Sequence, residues 1–220
     1  MKALIFGATG MVGDGVLHEC LADARVSAVV AVTRSALTIS NPKIRELRRS
    51  DFFDFSDMKA ELASVDACFF CLGDSAVGMN EASYRRVTFD ITLAAARALA
   101  ASHPGATFCY VSGEGVNGSE DRGLMWVRVK SATKNALLAL PLETYLFRPG
   151  LIQPRAGVQS KTRVYRLAYT LISPFFPLIK RLAPTHVTTA ANIGRAMINV
   201  ATDGYPTRFL ENTDINAAAR

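Results

Sequence analysis

Short apolar runs alternate with longer stretches of helical spacing up to about residue 148. The short runs read as buried strands and the longer stretches as helices packed over them. Ala3–Phe6 predicts a first strand and Met11–Leu21 the helix after it. The Val-rich Ser27–Thr33 predicts a second strand, and Ile44–Arg49, beyond the Asn41-Pro42 break, a weaker third. Ser56–Ser64 predicts a short helix with Ser56 as its N-cap. Ala67–Leu72 predicts the fourth strand. Asn80–Ser102 predicts a long Ala-rich helix closed by His103-Pro104-Gly105. Thr107–Ser112, Leu124–Leu140 (ended by Pro141) and Glu143–Phe147 predict strand five, a helix and strand six. After Arg148-Pro149-Gly150 the rhythm changes. Gln159–Tyr169 has helical spacing, and Pro174 and Pro177 interrupt the stretch beyond it. Ala190–Ala201, Arg208–Glu211 and Thr213–Ala219 predict helix, strand and helix. Strands alternating with helices in this way predict an α/β fold, a doubly wound parallel sheet of the Rossmann type. The chain has 220 residues and no linker, repeat or low-complexity stretch. We expect one domain, 1–220, with residues 1–150 as its core and 151–220 as a small C-terminal lobe on the substrate side.

Composition adds little beyond globularity: 50% of residues are hydrophobic and 20% charged. No apolar run approaches the ~20 residues that cross a bilayer. The opening Met1-Lys2-Ala3-Leu4-Ile5-Phe6-Gly7 does not read as a secretory leader, so a cytoplasmic protein is expected. Cys68-Phe69-Phe70-Cys71 has the spacing of a metal or redox pair, but it lies in a strand-like run, where the two side chains point to opposite faces. Cysteine as a small core hydrophobe is the better reading, alongside Cys20 and Cys109. His18, His103 and His186 show no metal spacing, so no metal is expected.

Gly7-Ala8-Thr9-Gly10-Met11-Val12-Gly13 leaves the first strand and opens the first helix. That context separates a phosphate loop from a chance spacing of glycines. Gly7 permits the turn, Gly10 lets the backbone approach a pyrophosphate, and Gly13 lets the helix pack closely. The free N–H groups of the helix start would face the phosphate charge. The second strand ends Thr33-Arg34-Ser35, with Arg34 21 residues beyond Gly13. An acidic residue there would hold ribose hydroxyls. An arginine, with Ser35 beside it, fits a 2′-phosphate, so NADP is expected in preference to NAD. Asp51 and Phe52 are candidates for the adenine border, and Leu72 and Gly73 for the adenosine ribose.

With these segments in order, the chain resembles the atypical short-chain dehydrogenase/reductase superfamily. The likeness is carried by the Gly7–Gly13 loop, Cys71-Leu72-Gly73, Val111-Ser112-Gly113 and Arg148-Pro149-Gly150. More narrowly it looks like the Tat-interacting-protein branch, through Phe70-Cys71-Leu72-Gly73, Val127-Arg128-Val129-Lys130, Phe147-Arg148-Pro149-Gly150 and Gly194-Arg195-Ala196-Met197. The resemblance covers essentially the whole chain. It implies a serine after strand five and a Tyr-x-x-x-Lys pair one helical turn apart. Ser112 and Lys130 match; the tyrosine position is Trp126. Indole is only a hydrogen-bond donor and does not cycle a proton near neutral pH. Tyr84, Tyr110, Tyr145 and Glu114 are the candidate substitutes. Pro149, Gly150 and Leu151 match the segment that borders the nicotinamide amide. The implied activity is an NADP-dependent oxidoreductase or epimerase-like enzyme on a small carbonyl compound. The alternative is a dinucleotide-binding regulator or scaffold without catalysis.

Charge bears on partners. The net charge is +6, and Thr144 to Thr202 holds eight Lys and Arg and no Asp or Glu. Such asymmetry marks a surface facing something anionic. Arg163–Arg181, basic at both ends and apolar between, suits a buried segment first, then a lid, a protein contact or a weak membrane-surface contact. No nucleic-acid element is recognised. On the long helix, Arg86 and Asp90 are spaced to pair, Arg97 lies further along, and the superfamily's use of that helix makes a homodimer possible.

Overall fold

The computed structural model describes residues 1–113, 123–155, 157, 176, 179, 181 and 183–220. The first apolar run forms β1 (Lys2–Phe6), and the glycine loop leads into α1 (Met11–Ala22). β2 (Ala28–Thr33) and β3 (Ile44–Arg48) come after it. A 3₁₀ turn (Ser56–Met58) then runs into α2 (Lys59–Leu62), and β4 (Ala67–Phe70) comes next. The long helix is α3 (Glu81–Arg85) and α4 (Ile91–Ser102), joined by a π-type turn at Arg86–Asp90. The chain continues with β5 (Thr107–Val111), α5 (Met125–Leu138), β6 (Glu143–Arg148) and β7 (Leu151–Gln153). Beyond a 3₁₀ turn at Pro184–His186 lie β8 (Val187–Thr189), α6 (Ala190–Asp203), β9 (Phe209–Glu211) and α7 (Asn212–Ala218).

Among the described residues the main sheet has seven parallel strands in the order β3-β2-β1-β4-β5-β6-β9. This is the predicted α/β architecture, with helices on both faces. Side chains of β1 alternate between two cores, as the period of two requires. Ala3 and Ile5 pack with Val16, Leu17, Ile193 and Met197, from α1 and α6. Leu4 and Phe6 pack with Leu62, Leu99 and Leu137, from α2, α4 and α5. A row of rings runs across the second core: Phe6 to Phe70 is 5.1 Å between centroids and Phe70 to Phe108 is 5.8 Å.

α1 and α6 cross backbone to backbone. A Cβ on Gly15 would stand 2.5 Å from the Ala190 Cβ, and one on Gly194 3.0 Å from the Val16 Cα. This crossing fixes α1, and the loop that opens it, against a neighbouring helix on the same face of the sheet.

Several local expectations are corrected. Ser56 does not cap a helix; it opens the 3₁₀ turn, and Asp54 accepts hydrogen bonds from its N–H at 2.8 Å and its hydroxyl at 3.1 Å. The long helix is capped by Asn80, whose side chain accepts from the Ser83 N–H at 2.9 Å. Its π-type turn disturbs the four-residue spacing expected to pair Arg86 with Asp90. The Arg86 guanidinium instead lies over the Phe53 ring, 4.1 Å from its centroid. The short β7–β8 ladder was not predicted, since three residues carry too little periodicity to register. The helix expected at Gln159–Tyr169 and most of Arg163–Arg181 lie outside the described residues.

The basic excess after Thr144 is partly answered by carboxylates from elsewhere in the chain. Arg148 pairs with Glu211 at 2.8 Å, Arg155 with Asp14 at 3.0 Å and Arg195 with Glu19 at 3.4 Å. Among the described residues, three of these cations therefore face the protein itself.

Candidate dinucleotide site

Strand order reverses between β1, which runs outward to β2 and β3, and β4, which begins the other half. A parallel sheet opens a crevice at its carboxyl edge at such a reversal. Here the crevice is a cavity of about 500 Å³. Its floor is the loop from Gly7 to Val12. Gly7 turns with φ +79°, and a Cβ there would lie 2.7 Å from the Cys71 carbonyl carbon, so only glycine fits between β1 and β4. Gly10 is the N-cap of α1 and has no side chain to offer the first-turn N–H groups. Those donors and the helix dipole are left for an anion. Thr9 and Met11 also line the cavity. Gly13 does not; a Cβ on it would sit 2.1 Å from the Gly7 carbonyl oxygen. Its part is to let the helix close onto the turn.

At one end of the cavity lie Arg34 and Ser35, both exposed, and Phe52, which is buried. Asp51 is not in the wall. Its carboxylate accepts from the Phe53 N–H at 2.7 Å, and its carbonyl accepts from Arg49 Nε at 2.6 Å. Arg49 also lies over the Phe55 ring at 4.8 Å and pairs with Asp57 at 3.0 Å. It thereby shapes the loop that presents Phe52. Leu72 and Gly73, after β4, border the middle of the cavity, and a Cβ on Gly73 would meet nothing within 4 Å.

At the other end stand Ser112 and Lys130. Lys130 Nζ donates to the Ser112 carbonyl oxygen at 2.5 Å. Burial disfavours the ammonium and lowers its pKa to about 8. The Ser112 hydroxyl is buried without a partner among the described residues. A buried orphan hydroxyl beside a half-buried cation, at the far end of a glycine cradle, fits the polar end of a bound dinucleotide.

The candidate replacements for the missing tyrosine lie elsewhere. Tyr84 and Tyr110 are each only 2% exposed, and neither lines the cavity. Burial pushes the Tyr110 hydroxyl well above its ordinary range. Tyr145 is buried toward Gly204, 3.7 Å from where a Cβ would stand. Glu114 falls outside the described residues. Trp126 lies one turn before Lys130 on α5, half-buried and outside the described cavity wall. Pro149, Gly150 and Leu151 are also outside that wall. The Gly150 N–H donates to Asn212 Oδ1 at 3.3 Å, and Leu151 begins the β7–β8 ladder.

Cys68 and Cys71 face opposite cores, as their spacing in an extended run predicts. Cys71 borders the cavity, yet burial pushes its thiol up to about 12. All four cysteines are free, and no cluster of three metal-ligating side chains occurs among the described residues.

No protein-family profile matches the chain. It is 29% identical over 159 residues to the Aspergillus oryzae protein fmp52-2, mitochondrial, covering 70% of this chain and 68% of the relative. It has the fold of MoeE5 in complex with UDP-glucose and NAD, at a TM-score of 0.68 and 17% identity, over 94% of this chain and 73% of the other. It also has the fold of a Burkholderia thailandensis oxidoreductase of the short-chain dehydrogenase/reductase family, at a TM-score of 0.66 and 17% identity, over 97% and 92%. The class defined by fold and strand order is thus the Rossmann fold, a parallel α/β sheet with a crevice where the strand order reverses. These comparisons do not single out the Tat-interacting-protein branch. They overturn the cytoplasmic expectation: the Aspergillus oryzae relative is named as mitochondrial, as are those from Aspergillus terreus and Candida albicans. The lack of a secretory leader pattern does not bear on mitochondrial import, which uses a different kind of segment.

Proposed function

We propose that this protein binds NADP and acts as a reductase on a small carbonyl compound. One observation carries the reading: a single cavity joins the glycine loop, the Arg34-Ser35 turn and the Ser112–Lys130 pair. The first-turn N–H groups after Gly10, those of Met11 and Val12, hold the pyrophosphate, and Gly13 lets the helix close onto the turn that presents them. Arg34 and Ser35 hold the 2′-phosphate, Phe52 borders the adenine, and Leu72 and Gly73 face its ribose. Lys130 holds the nicotinamide ribose and Ser112 binds the substrate oxygen. When bound, the reduced nicotinamide supplies hydride to a carbonyl carbon. The chain's own contribution is a cationic, partly buried pocket in which Lys130 holds the ribose and the Ser112 hydroxyl donates a hydrogen bond to the carbonyl oxygen, and the proton that completes the alcohol would come from solvent water at the cavity mouth.

Fluorescence titration with NADPH and NADH tests this reading, together with NADPH oxidation against a carbonyl panel. Arg34→Gln should weaken NADPH about 10- to 100-fold and leave NADH nearly unchanged, as loss of a charge-assisted phosphate contact implies. Equal weakening of both cofactors would refute the role given to Arg34. The second reading, a dinucleotide-binding regulator without turnover, is favoured by Trp126 and by the sealed positions of Tyr84, Tyr110 and Tyr145. NADPH binding with no turnover in the parent, and turnover appearing in Trp126→Tyr, would select it.

A further inference from the structure

We infer that Glu46, a residue outside the cavity wall, is the positioning residue that sets the preference for a 2′-phosphorylated nucleotide; the inference rests on the proposed NADP reading. Glu46 lies on β3, opposite Ala31 of β2. Its Oε1 accepts two hydrogen bonds, from the Thr33 hydroxyl at 2.8 Å and from the Leu37 N–H at 3.1 Å. Thr33 and Leu37 are the two ends of the turn that carries Arg34, Ser35 and Ala36. One carboxylate oxygen therefore pins both ends of a three-residue turn whose members are all exposed to solvent.

Among the described residues, no side-chain hydrogen bond or ion pair restrains Arg34 or Ser35. Thr33 is buried at the strand end, and Leu37 packs against the core on the α1 side. The Thr33 carbonyl accepts from the Arg49 N–H at 2.9 Å, which fixes the near end, and Glu46 ties the Leu37 N–H of the far end to the Thr33 hydroxyl; that anchoring sets the direction in which Arg34 leaves the turn. A guanidinium grips a phosphate only when its fork is presented in register, so restraint of the turn becomes affinity. The same hydrogen bonds direct the acid at the chain rather than at the cavity. An acid that faced the cavity here would accept from ribose hydroxyls and repel a 2′-phosphate. With its oxygen engaged by Thr33 and Leu37, Glu46 lets a β2-edge site with an acid nearby accept that phosphate.

The test uses the full chain and two probes, 2′,5′-ADP and 5′-AMP, with NADPH and NADH as a second pair. Affinities are measured by calorimetry for the parent, Glu46→Gln, Glu46→Ala and Thr33→Val. Gln keeps an oxygen that accepts both hydrogen bonds, so Glu46→Gln should retain the parent's ratio of affinities. Glu46→Ala should reduce that ratio about tenfold by weakening 2′,5′-ADP alone, equivalent to about 1.4 kcal/mol. Thr33→Val, which removes one of the two bonds, should fall between. A merely structural role would lower the melting temperature or weaken both probes together, and would leave the ratio unmoved. The inference is overturned if Glu46→Ala, or Thr33→Val should the first variant fail to fold, keeps the parent ratio. If the parent itself binds 2′,5′-ADP no better than 5′-AMP, the NADP reading falls and this inference falls with it.

Discussion

Gly13→Ala is the sharpest test of how the loop is built. A Cβ at this position would stand 2.1 Å from the Gly7 carbonyl oxygen, 2.6 Å from the Gly7 carbonyl carbon and 3.0 Å from the Ala8 nitrogen. All three neighbours are backbone, so no rotamer change relieves the contact. The helix and the turn must part by about 1 Å, and small-to-large strain of this kind costs roughly 1–3 kcal/mol. Alanine's helix propensity offsets about 1 kcal/mol. α1 has little room to retreat, because Gly15 and Gly194 already bring its far side against α6. We therefore expect strain at the upper end of that range, for a net loss of about 2 kcal/mol. With a urea slope of about 2 kcal/mol/M, the midpoint should fall by about 1 M. NADPH affinity should fall as well, since the displaced amides belong to the proposed pyrophosphate cradle. Gly73→Ala, where an added Cβ meets nothing within 4 Å, is the matched control and should leave the midpoint in place. Urea titration monitored by circular dichroism reads both variants. An unchanged midpoint in Gly13→Ala would refute the close-packing argument, and an equal fall in Gly73→Ala would show that any addition to the crevice is harmful.

The buried groups lead to two further outcomes. Lys130 titrates near 8 when folded, below its ordinary value of 10.5, so the unfolded chain binds its proton more tightly. That opposes folding fully below pH 8, and the opposition fades as pH rises toward 10.5. Lys130→Met should accordingly stabilise the cofactor-free protein at pH 7 by about 1–2 kcal/mol, after allowance for solvent screening at the cavity mouth. The gain should shrink above pH 8 in denaturant titrations run across that window, and a gain that does not vary with pH would count against a desolvated ammonium. The cysteine thiols, whose pKa values burial raises, should react slowly with an aromatic disulfide reagent at about pH 8 in the folded protein and quickly in urea. A fast native reaction would revive a redox reading of Cys71.

Much of the architecture was legible from residue order because both of its signals are local. The short apolar run Ala3–Phe6 and the helical spacing after Gly10 each register within a few residues, as does the glycine spacing between them. Arg34 and Ser35 could be placed at the cavity because a short β-α-β unit leaves the second strand few positions. The site was less legible where it depends on pairs distant along the chain. Nothing near Glu46 in the sequence marks it as the anchor of a turn that begins at Thr33. Nothing local to Gly15 or Gly194 marks them as the contact at which two helices cross. The run from Thr144 to Thr202 looked like a surface awaiting an anion because Asp14, Glu19 and Glu211 lie outside it. Trp126 could be recognised as a departure, but not the sealing of Tyr84 and Tyr110 away from the crevice.

The amino-acid order by itself determined the strand-helix alternation, the parallel doubly wound class and the glycine turn between the first strand and the first helix, since each rests on backbone geometry within a few residues. The folded chain alone decided which charges face one another, which phenols lose access to the crevice, and how the Arg34 turn is anchored. These depend on through-space distances of about 3 Å between residues far apart in sequence, which only the packing of helices on both sheet faces brings about.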